Sequence, residues 1–380
     1  MRLREIAGRD PVSGRSLRVR IEDGHIVSVA PSPRAEFAWL SPGFVDIQVN
    51  GYGGCDVNSD CVDPDVILTL ARKLREGGVT TFVPTIITAS EEKIIKALCA
   101  IADARRHDAL AVHAIPFVHV EGPHLSPKDG PRGAHPQEYI RPPDLEELRR
   151  WQLACDHLVG MVTISPHWEG AAEYIAAATA MGVRVAIGHT HATPEQVHLA
   201  ADAGATISTH LGNGLADPLP RHPNLLWAQL ADDRLTASFI ADGHHLPDDT
   251  LKTMIRAKGV ERSLLISDAV ALAGMKPGLY TAPVGGRVEL HANGRLNIAR
   301  TNFLAGAACP LRDGIAHLVA SIGIGLGDAL RMACGNPGQL VGKRGTLLPG
   351  SIADLVQFTF DPARRDLQVE TILVRGVEAK

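Results

Sequence analysis

Four polar residues stand where short apolar runs stop. Glu121 follows Ala-Ile-Pro-Phe-Val-His-Val, His189 follows Val-Arg-Val-Ala-Ile-Gly, His210 follows Thr-Ile-Ser-Thr, and Asp268 follows Leu-Leu-Ile-Ser. Two imidazoles and a carboxylate make the ligand set of a catalytic zinc, with a position left open for water. A metal held this way lowers the pKa of water to about 7, so that a nucleophile exists at neutral pH. Asp268 is spare. A carboxylate next to the activated water can take its proton and deliver it to a leaving amine. Singly, each residue reads more simply as a solvated loop position, and Asp268 after Ser267 as a helix cap. Together, at the ends of four separate runs, they read as one hydrolytic metal centre.

Such a centre needs elements that bring distant residues together. From Phe44 onward, short apolar runs alternate with helical periods. Strands are expected near 44–49, 80–85, 112–121, 158–165, 183–189, 205–210, 236–242 and 263–268. Helices are expected near 64–76, 90–106, 144–154, 169–181, 194–203, 224–232, 247–258 and 311–322. Eight strands alternating with eight helices is the (β/α)8 count, and that barrel places its sites at the carboxyl ends of its strands. Thr193-Pro194-Glu195-Gln196 reads as a helix start with a capping box, and Gly77-Gly78 and Gly182 as helix stops. Residues 123–143, rich in Pro, Gly and His, form a long loop on the site face. Residues 277–300 read as an inserted hairpin with its turn at Asn293-Gly294.

The two ends of the chain have a different texture. Leu17, Val19 and Ile21 alternate, Asp23-Gly24 turns, and Ile26, Val27 and Val29 follow, which is a hairpin signal. Strand-like text returns at 355–358 and 371–374. The expected fold is an α/β TIM barrel over residues 43–344, with a small β-sandwich domain built from residues 1–42 and 345–380.

Composition narrows the function classes. The 380 residues carry 21% charged side chains, interspersed, with a formal net charge of −4. No basic patch suits nucleic acid or an anionic membrane. Met-Arg-Leu-Arg-Glu-Ile lacks the apolar core of a secretory signal, and no apolar stretch is long enough to span a bilayer. The six cysteines have no Cys-x-x-Cys spacing and read as reduced, structural thiols. A cytoplasmic protein is expected.

Among the other histidines, Asp242-Gly243-His244-His245 follows the seventh strand. Neighbours on extended backbone point opposite ways, so one of the pair faces the site, and His245 is the choice. His119 shares a strand face with Glu121 and reads as barrel filling or support. His191 reads as part of the start of the following helix, not as a ligand.

Taken in order, the motifs resemble a known family. They are Pro42-Gly43-Phe44-Val45-Asp46-Ile47-Gln48-Val49-Asn50-Gly51, His119-Val120-Glu121-Gly122-Pro123, Lys128 through His135, Gly188-His189-Thr190, Thr209-His210-Leu211, Asp242 through His245, and Ser267-Asp268-Ala269. With Gly345 through Val356 they look like the N-acetylglucosamine-6-phosphate deacetylases of the amidohydrolase superfamily. The resemblance implies that Glu121, His189 and His210 bind the metal and that Asp268 is the catalytic acid/base. It implies a substrate site at Ala134, His135, Asn213, Gly214, Arg221, His245 and Leu304-Ala305-Gly306, and a homodimer. Where many amidohydrolases carry His-x-His for a second metal, this chain has Gln48-Val49-Asn50. Amides are poor zinc ligands, so one divalent ion per chain is expected, zinc first, with iron or manganese able to use the same set.

Some text departs from the family: Leu211-Gly212-Asn213-Gly214-Leu215 after His210, His124 after Glu121-Gly122-Pro123, and Ala307-Ala308-Cys309-Pro310. These changes spare the metal centre and touch the sugar and phosphate pocket. The implied reaction is hydrolysis of N-acetylglucosamine 6-phosphate to glucosamine 6-phosphate and acetate. Its rivals are hydrolysis of another N-acyl amino sugar or other amide on the same single-metal site, and a non-catalytic barrel used for binding or assembly.

Overall fold

The structure is a computed structural model that describes residues 4–282 and 286–379. The first three residues of the supposed non-signal N-terminus and residues 283–285 of the predicted insert lie outside the described residues. Eight parallel strands form the central sheet: Phe44–Val49, Val79–Ile87, Val118–Glu121, Val159–Ile164, Arg184–Ile187, Ala205–Ser208, Thr236–Ile240 and Ser263–Ile266. They lie side by side in chain order. The eighth returns to the first through Asp268 N–H to the Gln48 carbonyl (3.0 Å) and Asn50 N–H to the Ala269 carbonyl (2.8 Å). The barrel is thereby closed at the end where the site lies. Val45, Ile47, Val83, Phe117, Met161, Ala186, Ile207, Ile240, Leu264 and Ile266 fill its interior as one buried cluster. Each of the larger side chains contributes about 1.5–3 kcal/mol by burial, and Ala186 less.

The helices begin and end as their sequences dictate. In Pro64–Glu76, proline occupies the first turn and the Asp63 carboxylate accepts the Val66 N–H at 2.8 Å. Thr193 and Gln196 make both bonds of a capping box at the start of Pro194–Asp202. Gly78 and Gly182 hold φ of 88° and 82° just past helix ends, a region that favours glycine.

Two expectations needed revision. Residues 112–121 are not one strand: Ala109–Ala114 is a helix capped by Asp108, and the strand covers only Val118–Glu121. Alanine and leucine are strong helix formers, and Pro116 has no N–H to offer a ladder. The insert is a three-stranded antiparallel sheet, Gly278–Ala282, Gly286–Leu290 and Leu296–Ile298, not a single hairpin. Asn293-Gly294 lies in its second turn, with Gly294 at φ 84°. Val288, Leu290 and Leu296 pack on Ala269, Leu272 and Ala305, which seats the insert over the barrel mouth.

The chain ends build a separate sheet from Arg4–Arg9, Ser16–Glu22, His25–Pro31, Trp39–Pro42, Leu355–Asp361 and Asp366–Val374, with a short final strand at Val377–Glu378. Val19, Ile21 and Ile26 share a core with Leu40, Leu355 and Leu373, so both ends of the chain build one seven-stranded sheet. No helix among the described residues is long and apolar enough to cross a membrane.

Candidate active site

Glu121, His189 and His210 arrive from the carboxyl ends of the third, fifth and sixth barrel strands and meet. Their ligand atoms all lie within 4.8 Å of one another. Glu121 Oε1 is 2.9 Å from His210 Nε2 and 3.4 Å from His189 Nε2, and the two Nε2 atoms are 3.0 Å apart. The three residues are 3, 3 and 8 % exposed for Glu121, His210 and His189. His189, His210 and Asp268 hold φ of 47°, 29° and 49°. Such left-handed backbone costs a non-glycine residue about 1–3 kcal/mol, and it recurs at functional sites. Here it turns the chain sharply off each strand.

The hydrogen bonds alone do not satisfy this cluster. His189 Nδ1 lies 2.8 Å from the Pro131 carbonyl, so it carries a proton. Two Nε2 atoms 3.0 Å apart and a carboxylate oxygen crowd one point, where hydrogen bonds cannot serve every pair. A divalent cation between two imidazole nitrogens and a carboxylate oxygen satisfies all three at once, and the donor set suits zinc. Without the cation, burial pushes Glu121 up. The hydrogen bonds and charges of His189 and His210 win, and hold it well below the usual carboxylate range. Burial works to lower His210, but its bond to Glu121 raises it.

Asp268 stands beside this set. Asn50 Nδ2 donates to its Oδ1 at 2.8 Å, and Gln48 Nε2 donates to the same oxygen and to Glu121 Oε1, both at 3.1 Å. Burial, then the Glu121 charge, raises the Asp268 pKa to about 6. Gln48 and Asn50 thus hold both carboxylates at the place where a second cation would need imidazoles. In the sequence they stood only as missing ligands, since an amide at a strand end shows no role until its distant partner is known.

One cavity of about 490 Å³ gathers the remaining residues. Glu121, His189, His210, Asp268, Ala134, His135, Asn213, Gly214, His245, Leu304, Ala305 and Gly306 all line it. The 123–143 loop brings in Ala134 and His135. His135 Nδ1 is 2.9 Å from the Thr88 hydroxyl and its Nε2 is 3.2 Å from His189 Nε2. His245 Nδ1 is 2.7 Å from the Asp242 carboxylate, which also accepts the His245 and His244 backbone N–H groups. His244 turns to the Asn293 carbonyl. His119 engages Thr163 and Thr85 through its two ring nitrogens and is fully buried, so it fills the barrel. Arg221 is not brought in: it is exposed and absent from the cavity wall. No lysine or arginine lines the cavity among the described residues. Sequence reasoning missed the apolar wall that faces the metal set, including Ile87, Ile240, Val270 and Leu296. Hydrophobic residues in a barrel carry no mark that separates wall from core.

The model of the amidohydrolase family matches residues 39–378. An N-acetylgalactosamine-6-phosphate deacetylase of Escherichia coli O157:H7 is 32% identical over 368 residues, 94% of this chain and 93% of its own length. An N-acetylglucosamine-6-phosphate deacetylase of Vibrio furnissii is 31% identical over 89% of this chain and 82% of its own. Among solved structures, the N-acetyl-D-glucosamine-6-phosphate deacetylase of Mycobacterium smegmatis superposes with a TM-score of 0.85 at 32% identity, covering 96% of each chain. The enzyme from Thermotoga maritima gives 0.85 at 27% identity over 99% of each. Family model, relatives and fold agree, and the chain belongs to the amidohydrolase family.

Proposed function

We propose that this protein hydrolyses the N-acetyl amide of an amino sugar 6-phosphate, with N-acetylglucosamine 6-phosphate as its first substrate, to the free amine and acetate. The observation that carries the reading is the convergence of Glu121, His189 and His210 beside Asp268 at one barrel mouth. One divalent ion, zinc in our reading, held by those three residues would supply Lewis acidity to water and to the acetyl carbonyl. Asp268 removes the proton from the attacking water, oriented for this by Asn50 and Gln48. The C–N bond then breaks as Asp268 returns that proton to the leaving nitrogen. His135 and His245, each fixed through Nδ1, are the donors near the developing oxyanion. Ala134, Asn213, Gly214 and the Leu304–Gly306 segment shape the space for the sugar.

Among the described residues no lysine or arginine of the chain lines the cavity to meet a phosphate. We propose that the protein is a homodimer in which the exposed Arg221 reaches the phosphate held in the partner's cavity, where its planar donors suit a bidentate contact. The free cysteines, Cys55 and Cys61 included, suit the reducing cytoplasm in which we place the reaction.

A second reading, an unphosphorylated N-acyl substrate, draws support from the apolar cavity wall and its lack of lysine and arginine. Acetate release from N-acetylglucosamine 6-phosphate, N-acetylgalactosamine 6-phosphate and unphosphorylated N-acetylglucosamine separates the two. We expect kcat/KM to be at least about a hundredfold higher with a phosphate, as a lost charged contact commonly costs about 3 kcal/mol. Equal rates without it favour the second reading, and no acetate from any of the three refutes the deacetylase.

A further inference from the structure

A second histidine cluster lies outside the cavity. His167 follows the fourth barrel strand and His191 follows the fifth, and their rings are 4.2 Å apart between centroids with planes tilted by 42°. Each Nδ1 is anchored on a serine hydroxyl: Ser165 Oγ to His167 at 2.6 Å and Ser126 Oγ to His191 at 2.6 Å. Both serines are fully buried. Ser165 donates its own proton to Thr190 Oγ1 at 2.7 Å, so it accepts from His167 Nδ1–H, which leaves the His167 Nε2 lone pair free. Neither Nε2 makes a hydrogen bond among the described residues, and neither is sealed from solvent.

Two imidazoles with ring centres 4.2 Å apart, each supported at Nδ1 and with no hydrogen bond at Nε2 among the described residues, are suited to chelation. Hydrogen bonds to the far nitrogen are how proteins orient metal-binding histidines, and imidazole suits borderline cations such as Zn2+, Ni2+ and Cu2+. We propose that His167 and His191 bind a divalent transition-metal cation at a second site, separate from Glu121, His189 and His210. Two backbone links join it to the first centre: Ser126 N–H donates to the His189 carbonyl at 2.9 Å, and His191 is two residues from His189. The exposed ammonium of Lys128 interacts with both rings and opposes a cation there. The second site is therefore the weaker of the two.

The test is calorimetric titration of the metal-loaded full-length protein with Ni2+ at pH 8. The expected result is one saturable event per chain, lost in His167→Ala and in His191→Ala. Ser165→Ala weakens it about tenfold, and Lys128→Ala strengthens it. The resident metal content of these variants stays at the wild-type level, which shows that fold and first centre survive. Absence of an event in the wild type, or its persistence in both histidine variants, overturns the proposal. Should a histidine variant fail to fold, Trp168 decides, since its ring lies 4.4 Å from that of His167. Ni2+ is then expected to quench wild-type fluorescence and to leave Trp168→Phe unquenched, and binding without that quench overturns the site.

Discussion

The chemistry rests on one proton carrier and its setting. Asp268→Asn is expected to lower kcat by about 10²–10⁴-fold, with metal content unchanged by elemental analysis. Wild-type activity with this variant would remove the residue from the mechanism. The pH dependence has a defined sign. A general base works as the carboxylate, so activity is present above its pKa and lost as pH falls through it. Burial and Glu121 hold Asp268 near 6 in the metal-free chain, and a bound dication favours the carboxylate. The acid limb of kcat for the loaded enzyme is therefore expected below pH 6, and a limb above 7 would contradict this. Glu121, His189, His210 and Asp268 drew notice in the sequence only jointly, because four polar residues end four separate apolar runs; each alone passes as a loop position or a cap. Asp242, Gln48 and Asn50 were not read in these roles: their work is to hold His245, Glu121 and Asp268, and such pairings exist only after folding.

At the scale of the elements, close backbone approach fixes the ligands. Gly214 holds φ 58°, and a Cβ there would sit 2.7 Å from His189 Nδ1. Gly214→Ala is expected to push the ring from the Pro131 carbonyl and weaken metal binding about 10–100-fold, read by competition with a chelator. Unchanged affinity would show that this loop does not position the ligand. The eight strands were legible because fully buried strands are short apolar runs, and the helices because caps and glycines mark their ends. The last residues of the Ala109–Ala114 helix, 112–114, were read as strand because Ala-Leu-Ala-Val-His-Ala is too short to show a period. The first hairpin of the insert was missed because the alternation in Gly278–Ala282 and Gly286–Leu290 is weak and their side chains are mostly half-buried or exposed.

For the whole molecule, the barrel and the terminal sheet are joined by a buried pair. His113 Nε2, from the Ala109–Ala114 helix, is 2.7 Å from the Asp354 carboxylate, which leads into the strand at Leu355. Asp354 also accepts the Arg375 N–H at 2.9 Å. His113→Leu leaves Asp354 Oδ2 without its partner and is expected to cost about 2–3 kcal/mol, seen as a lower Tm, while kcat is retained. A loss of kcat with unchanged Tm would tie the terminal sheet to catalysis instead. The union of the chain ends was legible from strand text returning after Gly345, whereas the His113–Asp354 pair, 241 residues apart, was not. The central claim is that one cation at Glu121, His189 and His210 makes this barrel a hydrolase. Metal-stripped protein titrated with Zn2+ tests it most directly, with acetate release from N-acetylglucosamine 6-phosphate followed at each step. Activity is expected to rise from baseline and reach its plateau at one equivalent per chain; full activity before any metal is added, or a plateau only at two equivalents, would contradict it.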